Sequence, residues 1–127
     1  MARTITGVLL DAYEKRVDRA EIAADLRAYY AVLDCRYIDI VSRTIGGKRY
    51  DIICDDEGLF KEDCRISAVD SNYEPMLVGS LFVCQHDGEG NEISISEDDI
   101  AHVLRYVRTL PTRRYPDGLV VLTNVEY

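Results

Sequence analysis

The chain has 127 residues, 47% of them hydrophobic, which suits one globular domain over residues 1–127 with a real core and makes two domains a strained reading. A formal net charge of -8, from 23 acidic and 15 basic side chains, argues against a nonspecific grip on nucleic acid and for a basic or metal-bearing partner. No stretch has the apolar length of a signal-peptide core or a membrane span, so the expected compartment is the cytoplasm, where four cysteines without a Cys-x-x-Cys pair stay as free thiols.

Thr4 to Leu10 has the β-branched content of a strand, and the polar segment DAYEKR turns it into a second strand, Arg16 to Ile22. From Ala23 to Leu33 the spacing changes. Ile22, Leu26, Tyr29 and Leu33 recur at helical intervals, with Asp25 in the first turn where its charge opposes the positive helix end. Arg36 to Thr44 alternates Tyr37, Asp39, Val41 and Arg43 with Ile38, Ile40 and Ser42, one face apolar and the other mixed. Gly46 and Gly47 supply the positive backbone angles of a tight hairpin turn, and Lys48 to Cys54 returns as a strand. This central hairpin ends in Asp55, Asp56, Glu57 and Gly58, followed by the apolar pair Leu59 and Phe60.

After a loop over 61–65, a short strand is predicted from Ile66 to Asp70 and a long apolar one from Met76 to Gln85, with Gly79 marking a bulge. His86 to Glu92 is a turn. Ser96 with Asp99 three residues on resembles a capping box with the shorter acid. The helix that follows has a buried stripe of Ile100, Val103, Leu104, Val107 and Leu110, and Pro111 stops it soon after Arg108. Pro116 to Gly118 turns into a last strand, Leu119 to Thr123. The order β-β-α-β-β-β-β-α-β predicts a single α+β domain: a mostly antiparallel sheet with two amphipathic helices.

Charge is segregated along the chain. Asp87 to Asp99 holds six carboxylates and no Lys or Arg, while Arg105 to Arg114 holds four arginines and no acid. The acidic candidates for a partner surface are Asp55, Asp56 and Glu57 in one turn and Asp87, Glu89 and Glu92 in the other. The candidates for an anion or nucleotide site are Arg105, Arg108, Arg113 and Arg114, whose forks suit phosphate, and Tyr115, which can stack on a base. The plainer reading of these arginines is that they cap the helix end and pair with the abundant acids.

Asp87, Glu89 and Asn91 loosely match a calcium loop, but Glu92 stands where a glycine is needed and Asp98 where a bidentate glutamate closes the site. A solvated turn is the plainer reading, and no metal or cofactor is assigned. Cys84 and His86 share a strand face and would ligate zinc only if Cys54 or Cys64 approached. His102 falls with Asp98 and Arg105 on one exposed helix stripe, a surface ion-pair row. There is no Gly-rich phosphate loop, G-x-S-x-G elbow or H-E-x-x-H helix, so no catalytic residue is assigned and enzymatic activity has no positive support.

The segment YYAVLDCRYIDIVSRTIGGKRYDIICDDEGLF, followed by ISAVD, MLVGSLFV, SEDDI and the RYP…LTNVEY ending, resembles a family of small acidic proteins known as a domain of unknown function. Members occur in gut Firmicutes, often in prophages, plasmids and conjugative elements. The likeness covers the chain from about Ile5 to Tyr127. It implies no catalytic residues. It implies the cargo gene of a mobile element: a noncatalytic accessory protein that binds and neutralises a host defence component, either a protein or a small signalling nucleotide. Two alternatives stand beside this expectation. One is a metal-dependent phosphoester hydrolase using the same carboxylates, and the other a homo-oligomer assembled through a sheet edge such as the last strand.

Overall fold

The computed structural model describes residues 3–127, with two helices and two sheets. Thr4–Asp11 is strand β1, buried on both faces, and a turn with Lys15 at φ 55° reverses the chain into β2 (Arg16–Ala23), paired antiparallel along its whole length. Asp25 is the N-cap of helix α1 (Leu26–Leu33), its carboxylate accepting the Ala28 N–H at 2.8 Å. The helix therefore starts later than the sequence spacing suggests, because Ala23 still pairs with Thr4 in the sheet. Strands β3 (Ile38–Ile45) and β4 (Lys48–Asp55) are the hairpin predicted around Gly46 and Gly47. Gly46 does more than turn the chain. A Cβ there would sit 2.2 Å from Tyr106 Cζ, so the tyrosine ring packs on the bare glycine.

A single 3-10 turn, Gly58–Phe60, leads to β5 (Ile66–Val69). The long strand expected over 76–85 is two strands in different sheets, β6 (Pro75–Val78) and β7 (Leu81–His86). Gly79, at φ 85°, is the crossing point between them and not a bulge within one strand. After β8 (Glu92–Ile93), helix α2 (Glu97–Leu104) starts at Ser96, whose Oγ accepts the Asp99 N–H at 3.1 Å. It does not reach Arg108. Val107 and Leu110 belong to β9 (Val107–Leu110), which pairs with β10 (Leu119–Leu122), and β11 (Val125–Glu126) closes on Thr44 and Ile45. Cross-strand pairing of β-branched Val107 and Thr109 with Leu122 and Val120 overrides the helical spacing.

The larger sheet runs β11-β3-β4-β7-β1-β2, with β8 on β7, and the smaller runs β6-β5-β10-β9. Among the described residues every strand pair is antiparallel except β5 with β10. One face of the larger sheet, with Val8, Leu10, Tyr50, Ile52 and Val83, packs on Ala68 and Leu122 of the smaller sheet and on Ile100 and Val103 of α2. Its other face, with Ile5, Ile53, Phe82 and Cys84, is covered by Tyr29 and Leu33 of α1. Each fully buried Ile or Leu contributes about 1.5–3 kcal/mol to this core. The architecture is the single α+β domain that the element order predicts, mostly antiparallel, with two amphipathic helices.

Candidate functional site

Asp55, the last residue of β4, lies opposite Ile38, and so faces the α1 side of the sheet. Its side chain is 1% exposed, and Lys61 Nζ sits 2.9 Å from Oδ2. Oδ1 accepts the Glu57 N–H at 2.9 Å. Lys61 also donates to the Asp34 carbonyl at the end of α1 and lies 5.3 Å from the Tyr13 ring centre. Asp55 was expected among the solvent-facing acids. It is instead an internal anchor, because β4 is an inner strand and the cation that partners it comes from just beyond the following turn. Asp56 is exposed, and Glu57, half-buried, meets the exposed Arg36 at 3.3 Å.

Held by this anchor, Leu59 and Phe60 are 72% and 85% exposed. Tyr37, whose carbonyl accepts the Asp56 N–H, and Ile40 are also exposed. Two clefts flank the turn. One, of about 260 Å³, is lined by Asp34, Cys35, Arg36, Glu57, Phe60 and Lys61. The other, of about 220 Å³, includes Asp39, Val41, Arg43, Leu59, Met76 and Val78. Burial, and then the charge of Asp55, pushes the Cys35 thiol up to about 11, so it is protonated at neutral pH and a poor nucleophile.

The second acidic turn lies elsewhere. Cys54 pairs with Leu81 and Asp51 with Cys84, so Asp55 stands at one end of the β4–β7 ladder and Asp87 beyond the other, roughly 20 Å away along the strands. The two turns do not form one surface. The Asp87 carboxylate accepts the N–H groups of Asn91 and Glu89, each at 2.9 Å, and these bonds hold its carboxyl below the usual range. Glu89 is exposed at the tip, and Glu92 is half-buried on β8 with its carbonyl accepting from Arg3.

Cys84 and His86 share a face, but Cys54 belongs to the core on the other side of the sheet. Burial pushes both of these thiols up to about 12. His86 pairs instead with buried Asp51, Nδ1 to Oδ2 at 2.6 Å, a contact fixed by the β4–β7 register and invisible in the sequence. His102 does not lie in an exposed ion-pair row. It is half-buried, its Nε2 donates to the Ile45 carbonyl at 2.8 Å, and its ring lies between those of Tyr50 and Tyr106. Nearby Asp99 is pushed up by burial, yet bonds from Lys48, the Tyr50 hydroxyl and Ser96 hold it below its ordinary value.

Of the five residues of the expected anion site, Arg105 precedes β9, Arg108 lies within it, and Arg113, Arg114 and Tyr115 follow it. Arg105 is the exposed C-cap of α2, and the Arg108 guanidinium donates back to the carbonyls of Arg105 at 2.6 Å and Val107 at 2.8 Å. Arg113 and Arg114 are exposed beyond β9. Tyr115 is already engaged: Arg65 lies 4.7 Å and Arg114 5.6 Å from its ring centre, and its hydroxyl donates to Asp63. Arg65 in turn pairs with Asp63 at 2.9 Å and lies over Tyr13, the ring that Lys61 also covers. Tyr115 is thus tied through Arg65 and Tyr13 to the Asp55 anchor, and each link joins segments distant in sequence.

Residues 5–109 match the family model described as Domain of unknown function (DUF3846), and the chain belongs to that family. No curated protein and no solved structure matches it. No helix of the described residues is long and apolar enough to cross a membrane.

Proposed function

We propose that this member of the DUF3846 family is a noncatalytic binding protein that docks, in the cytoplasm, on a protein partner through the corner at the end of β4. The observation that carries the reading is the pair Leu59 and Phe60, held out into solvent on a turn that the Asp55–Lys61 ion pair fixes from within. Large apolar side chains grouped at the surface mark interaction sites when a polar rim surrounds them. Here Leu59 shares its cleft with Val41, Met76 and Val78, Asp39 and Asp56 rim that cleft, and Glu57 lies with Phe60 in the other. The aromatic anchor supplies affinity, and the acidic rim selects a basic partner and speeds encounter. In the mobile-element setting that the family resemblance implies, the partner is a component of host defence, and the protein is the accessory that neutralises it. Capture of a signalling nucleotide is the weaker version, because Tyr115 already stacks under Arg65 and Arg114.

Affinity purification of the tagged chain from its native host, read by mass spectrometry at low and high salt, tests this. A protein retained at low salt and lost both at high salt and with the Leu59→Ser/Phe60→Ser variant supports the reading. Undiminished recovery of that protein by the variant overturns it.

A further inference from the structure

We infer that the outer edge of β3, from Ile38 to Ser42, is a strand-addition site for an extended segment of the partner, apolar at alternate positions and carrying a Lys or Arg. The inference rests on the docking reading above and specifies its mode. β4 pairs with β3 along its whole length, but on the other side β11 pairs only with Thr44 and Ile45, and Tyr127 lies over Arg43 at 4.6 Å. The Asp56 N–H donates to the Tyr37 carbonyl, so by alternation the odd-numbered backbone groups of this strand face β4 and the even-numbered ones face away. Ile38 and Ile40 therefore each turn an N–H and a carbonyl outward, and Ser42 an N–H, its carbonyl accepting from Arg43 Nη1 at 2.9 Å, with no strand beside them among the described residues.

Other edges of the two sheets are guarded. β2 carries Arg16, Asp18, Arg19 and Glu21, β6 is short and opens with Pro75, and β9 is short and carries Arg108. Ile38 to Ser42 has no Lys, no Pro and no break in register. An uncovered edge of this kind is a template for another strand.

The surroundings choose the occupant. A strand laid here sends alternate side chains to the two faces of the sheet. On one face they meet the cleft of about 220 Å³ with Val41, Leu59, Met76 and Val78 in its lining, and on the other they meet exposed Ile40. Asp39 and Asp56 line the same cleft, are exposed, and have no ion-pair partner among the described residues. An apolar side chain flanked by a basic one matches that lining. A second copy of this chain fits worse. Pairing β3 with itself about Ile40 sets Tyr37 opposite Arg43 of the other copy, the position that Tyr127 occupies.

The test pans a phage-displayed library of short random peptides on the full chain and follows the selected peptides by amide NMR. The expected binders alternate β-branched or aromatic residues with polar ones and carry Lys or Arg. They shift the amides of Ile38, Ile40 and Ser42, and N-methylation at alternate peptide nitrogens weakens them by about tenfold or more while methylation between those positions does not. Asp39→Lys/Asp56→Lys also weakens them by about tenfold. Ile40→Pro removes an outward N–H and no bond to β4, and abolishes binding. Should that variant fail to fold, the N-methyl series on the wild-type chain decides alone. Absence of any binder, binders that leave these amides unmoved, or indifference to N-methylation overturns strand addition. So does self-association that Ile40→Pro removes, which would assign the edge to a second copy. A host protein retained by folded Ile40→Pro sinks the edge and leaves the docking reading standing, whereas loss of all partners from the wild-type chain sinks the docking reading itself.

Discussion

Lys61→Met strands a buried carboxylate. Asp55 is 1% exposed, and the cation 2.9 Å from its Oδ2 is the partner that offsets its desolvation. Removing one member of a buried pair costs about 3–5 kcal/mol. Lys61 keeps 28% exposure, so water partly re-enters the site, and the lower end of that range, about 3 kcal/mol, applies. The lost stacking on Tyr13, 5.3 Å away, adds about 0.5 kcal/mol. Asp55→Asn/Lys61→Met removes the charge as well as its partner and recovers most of the loss, to within about 1 kcal/mol of wild type, because the amide oxygen still accepts the Glu57 N–H. Urea unfolding followed by circular dichroism gives both differences at constant m-value. A loss below about 1 kcal/mol for Lys61→Met, or a double variant no more stable than the single one, refutes the reasoning that Asp55 is an internal anchor.

Further outcomes follow from the packing. Gly46→Ala loses at least about 2 kcal/mol, from a positive φ and a Cβ driven into the Tyr106 ring, whereas Gly47→Ala, open to solvent, loses only about 1 kcal/mol. Tyr106→Ala in the Gly46→Ala background is less damaging than in wild type, a coupling that a double-mutant cycle measures. Asp99, held below its ordinary value, contributes stability that is fully present above the unfolded value of about 3.9 and is lost as pH falls through the folded one. Asp99→Asn therefore loses about 1–3 kcal/mol at pH 7, and its urea midpoint approaches that of wild type only as pH falls below the folded value of Asp99. With its thiol pushed up to about 11, Cys35 is only about 0.1% thiolate at pH 8, so iodoacetamide labels it slowly until urea unfolds the chain. Immediate labelling of Cys35 in the folded protein contradicts the assignment.

Local signals in this chain read well. Two adjacent glycines mark the β3–β4 turn, and Ser96 with Asp99 marks the start of α2, because both depend on residues within one turn of each other. Signals that need a neighbour from elsewhere do not. The apolar run from Met76 to Gln85 looks the same whether it stays in one sheet or crosses between two, and only the backbone angle of Gly79 separates the cases. Val107 keeps helical spacing with Ile100, Val103 and Leu104, but its pairing with Leu122 decides its structure. The turn after β4 is conspicuous in sequence for its acids. In the fold Asp55 goes inward to meet Lys61, while the apolar pair Leu59 and Phe60 points out. That inversion depends on β4 being an inner strand, which no residue of the turn encodes. The pairing of His86 with Asp51 is hidden for the same reason.

The most direct test of a docking corner is site-specific photo-crosslinking in the native host. Benzoylphenylalanine replaces Phe60 in one protein and Tyr73, exposed in the turn before β6, in another. The account predicts a discrete protein adduct from the Phe60 position that disappears when Asp39→Lys/Asp56→Lys is added, and none from the Tyr73 position. No adduct at Phe60, or the same adduct from both positions, contradicts it.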